Sequence, residues 1–192
     1  MPSTIPLPPI LIDIPRSPVF AVGLPLAASF ATGLLTRHSK YGPRSFWYQS
    51  LKKPTLDPPA WSFGVVWPAL YASMGWASFL SVKALDRTPP GLGRDKALLS
   101  LKLYYLQLAL NQAWTPLCFG GGYLGAAFTD LVALTGTVGY WFYLLQTEVS
   151  KEASWFIAPY LAWTTYASYL NGSLWWNNSG KHLWANLKKK AD

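Results

Sequence analysis

The sequence predicts an all-α integral membrane protein, a bundle of five transmembrane helices. Three observations carry that expectation. Only 12% of the 192 residues are charged, about half the roughly 25% usual in soluble proteins. No charge appears from Pro58 to Val82, a run long enough to cross a hydrocarbon core of roughly 30 Å. The charges that remain sit in short clusters between apolar runs, as membrane topology requires. Those runs are continuous rather than alternating, which argues against a β-barrel. The net charge of +8 would suit nucleic acid, but its clustering assigns it to topology. The expected partner is therefore the lipid bilayer, with no nucleic acid.

Residues 1–17 form a Pro-rich N-terminal tail, expected to be extended and partly disordered. It lacks the charged and apolar regions of a secretory signal. The five-helix domain is expected over residues 18–178. Its first span is Pro18–Thr36, where Pro25 is tolerated if neighbours satisfy the freed carbonyl. A basic loop broken by Pro54, Pro58 and Pro59 follows. Proline has no N–H and clashes with the preceding turn, so the second helix is expected to start near Ala60 or Trp61 and run to Leu85. In it Phe63, Trp67, Leu70, Tyr71 and Met74 recur three and four apart and share a face. Thr88–Gly93 (TPPGLG) separates it from the third span, Lys96–Phe119. Gly120–Gly122 precedes the fourth, Tyr123–Thr147, and Glu148–Glu152 precedes the fifth, Ala153–Trp176. Residues 179–192 form a basic C-terminal tail. Gly125/Thr129 and Thr135/Gly139 place small residues at helix spacing and permit close contact, inside one bundle or in a homodimer. With five spans, nine Lys and Arg fall on the side of the first loop, the third loop and the C-terminus, against six opposite. The positive-inside rule then puts the C-terminus and the loop 47–59 in the cytosol.

Polar residues inside the spans mark where chemistry could sit. Tyr104, Gln107, Asn111 and Trp114/Thr115 share one face of the third span. An amide left unpaired in hydrocarbon costs several kcal/mol, so this face meets other helices or a cavity. It either hydrogen-bonds between helices or orients a ligand in an apolar pocket. In the fifth span Trp163, Ala167, Leu170 and Asn171 form one stripe, and Pro159 is expected to bend the helix. Asp130 is the acid nearest a span, with a cap or a partner such as Arg44 or a loop lysine expected for it. Trp175, Trp176 and Trp184 fit an interfacial belt, whereas Trp67, Trp114 and Trp163 lie deeper in their helices. A single cysteine, Cys118, excludes an intrachain disulfide, and His38 and His182 are too far apart in sequence to suggest a metal centre. No G-x-S-x-G and no acid pair within one turn of a span is present. An ordinary enzyme is disfavoured, and no cofactor is expected.

Together these residues carry a pattern. Trp47–Tyr48, Leu51, Lys53–Pro54, Pro58–Pro59, Trp67, Leu70–Tyr71 and Met74–Gly75 resemble the first loop and second helix of the translocator protein family. That family includes the tryptophan-rich sensory proteins and the peripheral benzodiazepine receptors. Gln107–Trp114 (QLALNQAW) is similar to its third helix. Asp130 with the apolar run after it, Pro159–Trp163 (PYLAW) and Ala167…Leu170–Asn171 are similar to its fourth and fifth. The match runs in order from about Ser17 to Asn178. The resemblance implies a five-helix bundle with a hydrophobic pocket under the first cytosolic loop, binding porphyrins (haem among them), sterols or synthetic benzodiazepine-site ligands. The pocket residues it implies are Phe63, Trp67, Tyr71 and Asn111, with Trp114, Trp163, Ala167 and Leu170. Trp47, Pro54, Pro58 and Pro59 would belong to the lid.

The chain departs from many animal members at Asp57, where they have histidine, and at Ala126, where they have tryptophan. After Leu170 there is no Tyr with a nearby Lys or Arg, so the fifth helix lacks a clear sterol motif. Three functions stay open on the sequence: transport, scavenging or stress regulation of a bound tetrapyrrole; its light- or oxygen-dependent breakdown beside Trp67 and Trp163; and a membrane scaffold with an incidental pocket. The resemblance implies the mitochondrial outer membrane. The terminal Lys189-Lys190-Ala191-Asp192 also fits a retrieval signal of the endoplasmic reticulum.

Overall fold

The protein is represented by a computed structural model that describes residues 6–36 and 38–179. The basic tail from residue 180, with His182, Trp184 and the terminal lysines, lies outside the described residues, as does Arg37. All regular structure among those described is helical. Two short helices, α1 (Pro9–Asp13) and α3 (Phe46–Ser50), accompany five long ones: α2 (Pro18–Thr36), α4 (Ala60–Arg87), α5 (Leu92–Thr115), α6 (Leu124–Leu144) and α7 (Lys151–Asn178).

Local chemistry sets the helix ends. Pro59 is the N-cap of α4, because a proline can precede a helix without losing a hydrogen bond. Gly91, at φ 143°, starts α5; a backbone conformation of that kind favours glycine. This turn is tighter than expected and α5 begins four residues before Lys96. Arg94 then folds back, donating to the Leu85 carbonyl at 2.9 Å at the end of α4, where orphan carbonyls need donors. Helices α5 and α6 do not end abruptly. Each finishes in a wider π turn, Pro116–Gly120 and Leu145–Val149. Ser150 then caps α7, its hydroxyl accepting from the Ala153 N–H. Pro159 lies within α7 without interrupting it.

The N-terminal tail is not extended over its described length. Residues 9–16 are helical and docked. Arg16 reaches both Asp13 and Asp86, and Tyr105 donates to the Leu11 carbonyl at 2.8 Å. Leu7 and Ile12 pack on Val82, Leu85, Ala97 and Leu101. Prolines at the first helical positions favour a short turn of this kind, and the apolar contacts hold it.

Helices α4, α5, α6 and α7 form a ring of neighbours, and α2 lies on α4 and α5. At Gly75 the α2 and α4 backbones nearly touch: a Cβ there would overlap the Ala21 carbonyl and lie 2.8 Å from Val22 Cα. The expected small-residue pairs are used inside the chain. A Cβ on Gly125 would meet Trp175 of α7 at 3.0 Å, and Thr135 shares a hydrogen bond with Ser168 of α7 at 3.0 Å. One end of the bundle gathers the loop after α2, the turn before α6 and the end of α7. The other gathers α1, the α4–α5 turn and Val149.

The bundle has an apolar core, yet it also buries polar side chains and exposes large apolar ones. Ser78, Ser81, Ser100, Gln107 and Thr164 are fully buried. Val19, Phe20, Phe30, Leu35, Val65 and Trp155 are exposed on helix surfaces. Burying hydroxyls and amides while presenting large apolar side chains outward suits a hydrocarbon surround. Two helices, Pro18–Thr36 and Trp61–Arg87, are long and apolar enough to cross a membrane by length and composition. Lower apolarity in α5 follows from Arg94, Asp95, Lys96 and Lys102 together with its amides, of which Gln107 and Asn111 are buried. Asp130 differs from expectation. It lies inside α6 rather than at its start, and its Oδ2 is buried with no hydrogen-bond partner among the described residues. It forms no described ion pair with Arg44.

Candidate functional site

A cavity of about 490 Å³ lies between the long helices at the end closed by the loop 38–59. Its size falls within the range of small-molecule sites, about 300–1,000 Å³. Helix α4 contributes Phe63, Trp67 and Tyr71, spaced four apart on the shared face. Helix α5 contributes Asn111 and Trp114, and α7 contributes Ala167, Leu170 and Asn171. The lid contributes Pro54 and Pro58.

Three of the sequence-implied residues stand differently. Trp163 touches Phe63 and Trp67, ring centres 5.9 and 6.4 Å away, and sits behind the wall they form. Trp67 and Trp163 meet edge to face at 90°. They make a corner, and no planar ring fits between them as between parallel plates, since stacked partners need aligned planes. Trp47 is turned to Tyr41, 5.0 Å away, and to Tyr48. It packs the lid rather than the cavity, and Pro59 likewise serves as the cap of α4.

Sequence reasoning missed several lining residues. Ser29 and Gly33 on α2 and Leu131 and Leu134 on α6 line the cavity, but their helices are apolar all round and show no stripe. Tyr48, Lys53 and Cys118 also line it. Lys53 counts in the sequence as a topological charge and as part of the first-loop motif Lys53–Pro54, with no place in the cavity assigned to it. A signal was available, since Lys53 lies between Leu51 and Pro54 in a segment that has to cover the cavity.

The floor is a string of hydrogen bonds through the bundle. Thr32 of α2 donates to Gln112 at 2.6 Å, and Gln112 donates to the Tyr71 hydroxyl at 3.2 Å. Tyr71 donates to Asn111 Oδ1, and Asn111 Nδ2 donates to the Tyr160 hydroxyl at 2.8 Å. Tyr160 in turn donates to Gln107 Oε1 at 2.8 Å. The polar face of α5 therefore does both things expected of it: Gln107 ties helices together, while Asn111 does so and also faces the cavity. Satisfied networks of this kind hold side chains in one arrangement.

Higher up, satisfaction fails. Trp114 Nε1, Lys53 Nζ and Asn171 Oδ1 are buried without a hydrogen-bond partner among the described residues. Trp163 Nε1, behind the wall, is also unpartnered. Unpaired buried polar atoms are uncommon and call for a reason. Burial pushes the Tyr48 phenol up to about 12 and holds the Lys53 ammonium below its usual value, an effect that Asp57 partly offsets. Among the described residues no three His, Cys, Asp or Glu side chains converge on a point that could hold a metal ion.

The lid is fastened to α7. Asn178 grips the Lys52 backbone twice, donating to its carbonyl at 3.1 Å and accepting from its N–H at 2.9 Å. Tyr166 donates to the Leu56 carbonyl at 2.6 Å. Inside the lid Ser45 caps α3 by accepting from the Tyr48 N–H.

Comparison with known proteins places similar sequences beside this one. The profile of the TspO/MBR family matches residues 21–176. The chain is 39% identical over 161 residues to the translocator protein of Sus scrofa, covering 84% of this chain and 91% of that one. It is 41% identical over 133 residues to a translocator protein homolog of Schizosaccharomyces pombe, covering 69% and 77%. Tryptophan-rich protein TspO of Chlorobaculum tepidum is 35% identical over 155 residues, covering 78% and 88%.

Proposed function

The chain belongs to the TspO/MBR family, and from that premise we propose that it is a five-span membrane protein whose cavity binds a porphyrin or a similar flat apolar molecule, for transport or scavenging. One observation carries the reading most directly. The cavity wall is built from Phe63, Trp67, Tyr71 and Trp114, while Trp114 Nε1 and Asn171 Oδ1 in it lack hydrogen-bond partners among the described residues. A ligand with a large π surface and a few polar edges satisfies both, since aromatic pairs add about 0.5–1.5 kcal/mol beyond area burial. Sterols fit less well, because they offer no π surface to these rings. Large apolar side chains exposed on each long helix, such as Phe20, Val65, Leu106, Val132 and Trp155, support all five as spans. In that arrangement the lid faces the cytosol, and the family relationship favours the mitochondrial outer membrane over the endoplasmic reticulum.

Titration of the purified protein with protoporphyrin tests this. Saturable quenching of tryptophan fluorescence is expected. A light-dependent new product would move the reading to porphyrin breakdown, and the absence of both quenching and product would refute a porphyrin site.

A further inference from the structure

Lys53 sits on the boundary between two spaces. Below it is the aromatic cavity. Outside it, between the lid and α7, runs a groove of about 510 Å³ whose wall includes Lys52, Thr55, Ser173 and Asn177. Lys53 and Pro54 line both. The groove is open and mixes these polar side chains with Tyr169 and Trp176, whereas the cavity is more enclosed and mostly apolar, so the pair lies between an outer, accessible space and an inner one.

The Lys53 ammonium is poorly provided for at this point. An ammonium carries three donors, and Nζ is buried with no hydrogen-bond acceptor among the described residues. Its contact is the Tyr48 ring, 3.0 Å below it. A cation over an aromatic face is attracted electrostatically, but the ring accepts none of its donors in the ordinary sense. Asp57 and Cys118 are near enough to act on it electrostatically, and neither bonds to it. What the position lacks is an anionic oxygen.

We propose that Lys53 is the anchor for a carboxylate on the ligand, so that the site selects amphiphiles with a flat apolar body in the cavity and an acidic edge at the lid. This rests on the reading of the cavity as a porphyrin-type site and narrows it to acid-bearing members of that class. A carboxylate at Nζ supplies the missing acceptor and a charge-assisted hydrogen bond, roughly twice as strong as a neutral one. Its second oxygen faces the groove and water. The ligand then enters body first and is held by its edge, with Lys53–Pro54 as the contact it meets last.

Protoporphyrin and its dimethyl ester, which share one ring system, separate the two contributions. Each is titrated against wild type, Lys53→Met and Lys53→Arg by tryptophan quenching in one detergent. Wild type should bind the free acid on the order of tenfold tighter than the ester. Lys53→Met should lose that preference while keeping the ester affinity, which also reports that the cavity is folded. Lys53→Arg should retain the preference. If wild type binds both forms equally, or if Lys53→Met weakens both by the same factor, the anchor is refuted while the porphyrin site stands. If neither form binds wild type, the porphyrin reading falls, and the anchor with it.

Discussion

Gly75 gives the sharpest test of the packing that shapes the cavity. Replacing it with alanine adds one methyl where α2 crosses α4. The added carbon would overlap the Ala21 carbonyl oxygen, lie 2.9 Å from the Ala21 carbonyl carbon and 2.8 Å from Val22 Cα. All three are backbone atoms, so no side chain can rotate away and a whole helix must shift. Ordinary contact begins near 3.4 Å, so the separation required is about half an ångström or more. Overpacking of this kind costs about 1–3 kcal/mol. Gly64 supplies the control: it lies on the same helix, and nothing comes within 4 Å of a Cβ there. Gly64→Ala should gain up to about 1 kcal/mol from helix propensity alone. One chemical change on one helix therefore acts with opposite signs at two positions. Thermal unfolding of both variants in the same detergent, followed by intrinsic fluorescence, reads the difference. Gly75→Ala melting at or above Gly64→Ala would show that α2 and α4 are not in backbone contact, and the α2 wall of the cavity, Ser29 and Gly33, would be misplaced.

Three further outcomes follow from other parts of the molecule. Trp67→Ala should weaken protoporphyrin binding by on the order of tenfold, and with Trp163→Ala the losses should be less than additive, because the two indoles touch; additive losses in a double-mutant binding cycle would separate them. Ser100→Ala removes the acceptor for the fully buried Trp141 indole N–H, now bonded at 2.9 Å, and should cost about 1–3 kcal/mol in detergent unfolding, with an unchanged melt counting against that bond. Lys53 is shifted below the ordinary lysine value of 10.5, chiefly by burial, so its protonated form opposes folding. That opposition is complete below the folded-state pKa and fades as pH rises toward 10.5, so the ligand-free melting temperature of wild type should climb relative to Lys53→Met over that window; a constant difference would mean that the ammonium is fully solvated.

Much of this architecture was legible because a few residues allow only one local structure. Pro58 and Pro59 forced the start of α4 to Ala60. The four-residue spacing of Phe63, Trp67 and Tyr71 placed them on one face, and the cost of burying Asn111 placed it opposite another helix. What was not legible depends on tertiary contact. The five-residue helix α1 contains Pro9 and has no periodicity of its own. It exists because Leu7, Ile12 and Arg16 find partners on α4 and α5. Ser29 and Gly33 line the cavity from a helix with apolar residues on every side, so no stripe could mark them. Lys53 reads as one more positive charge until the loop backbone turns it inward. The right angle between Trp67 and Trp163 depends on how α4 and α7 cross, which residue spacing does not encode.

The double grip of Asn178 on Lys52 bears on the order in which the protein is completed. The two residues are 126 positions apart, and a chain made from its N-terminus onward exposes Lys52 long before Asn178 exists. Until the final turn of α7 emerges, the roof of the cavity has its Tyr166–Leu56 bond to α7 but lacks the grip on Lys52. A shortened chain ending before Asn178 would keep all five long helices and the aromatic lining, yet leave the Lys52 end of the loop unlatched. Synthesis itself therefore leaves a period in which the Lys52 end of the roof is unlatched, and the last turn of α7 ends that period.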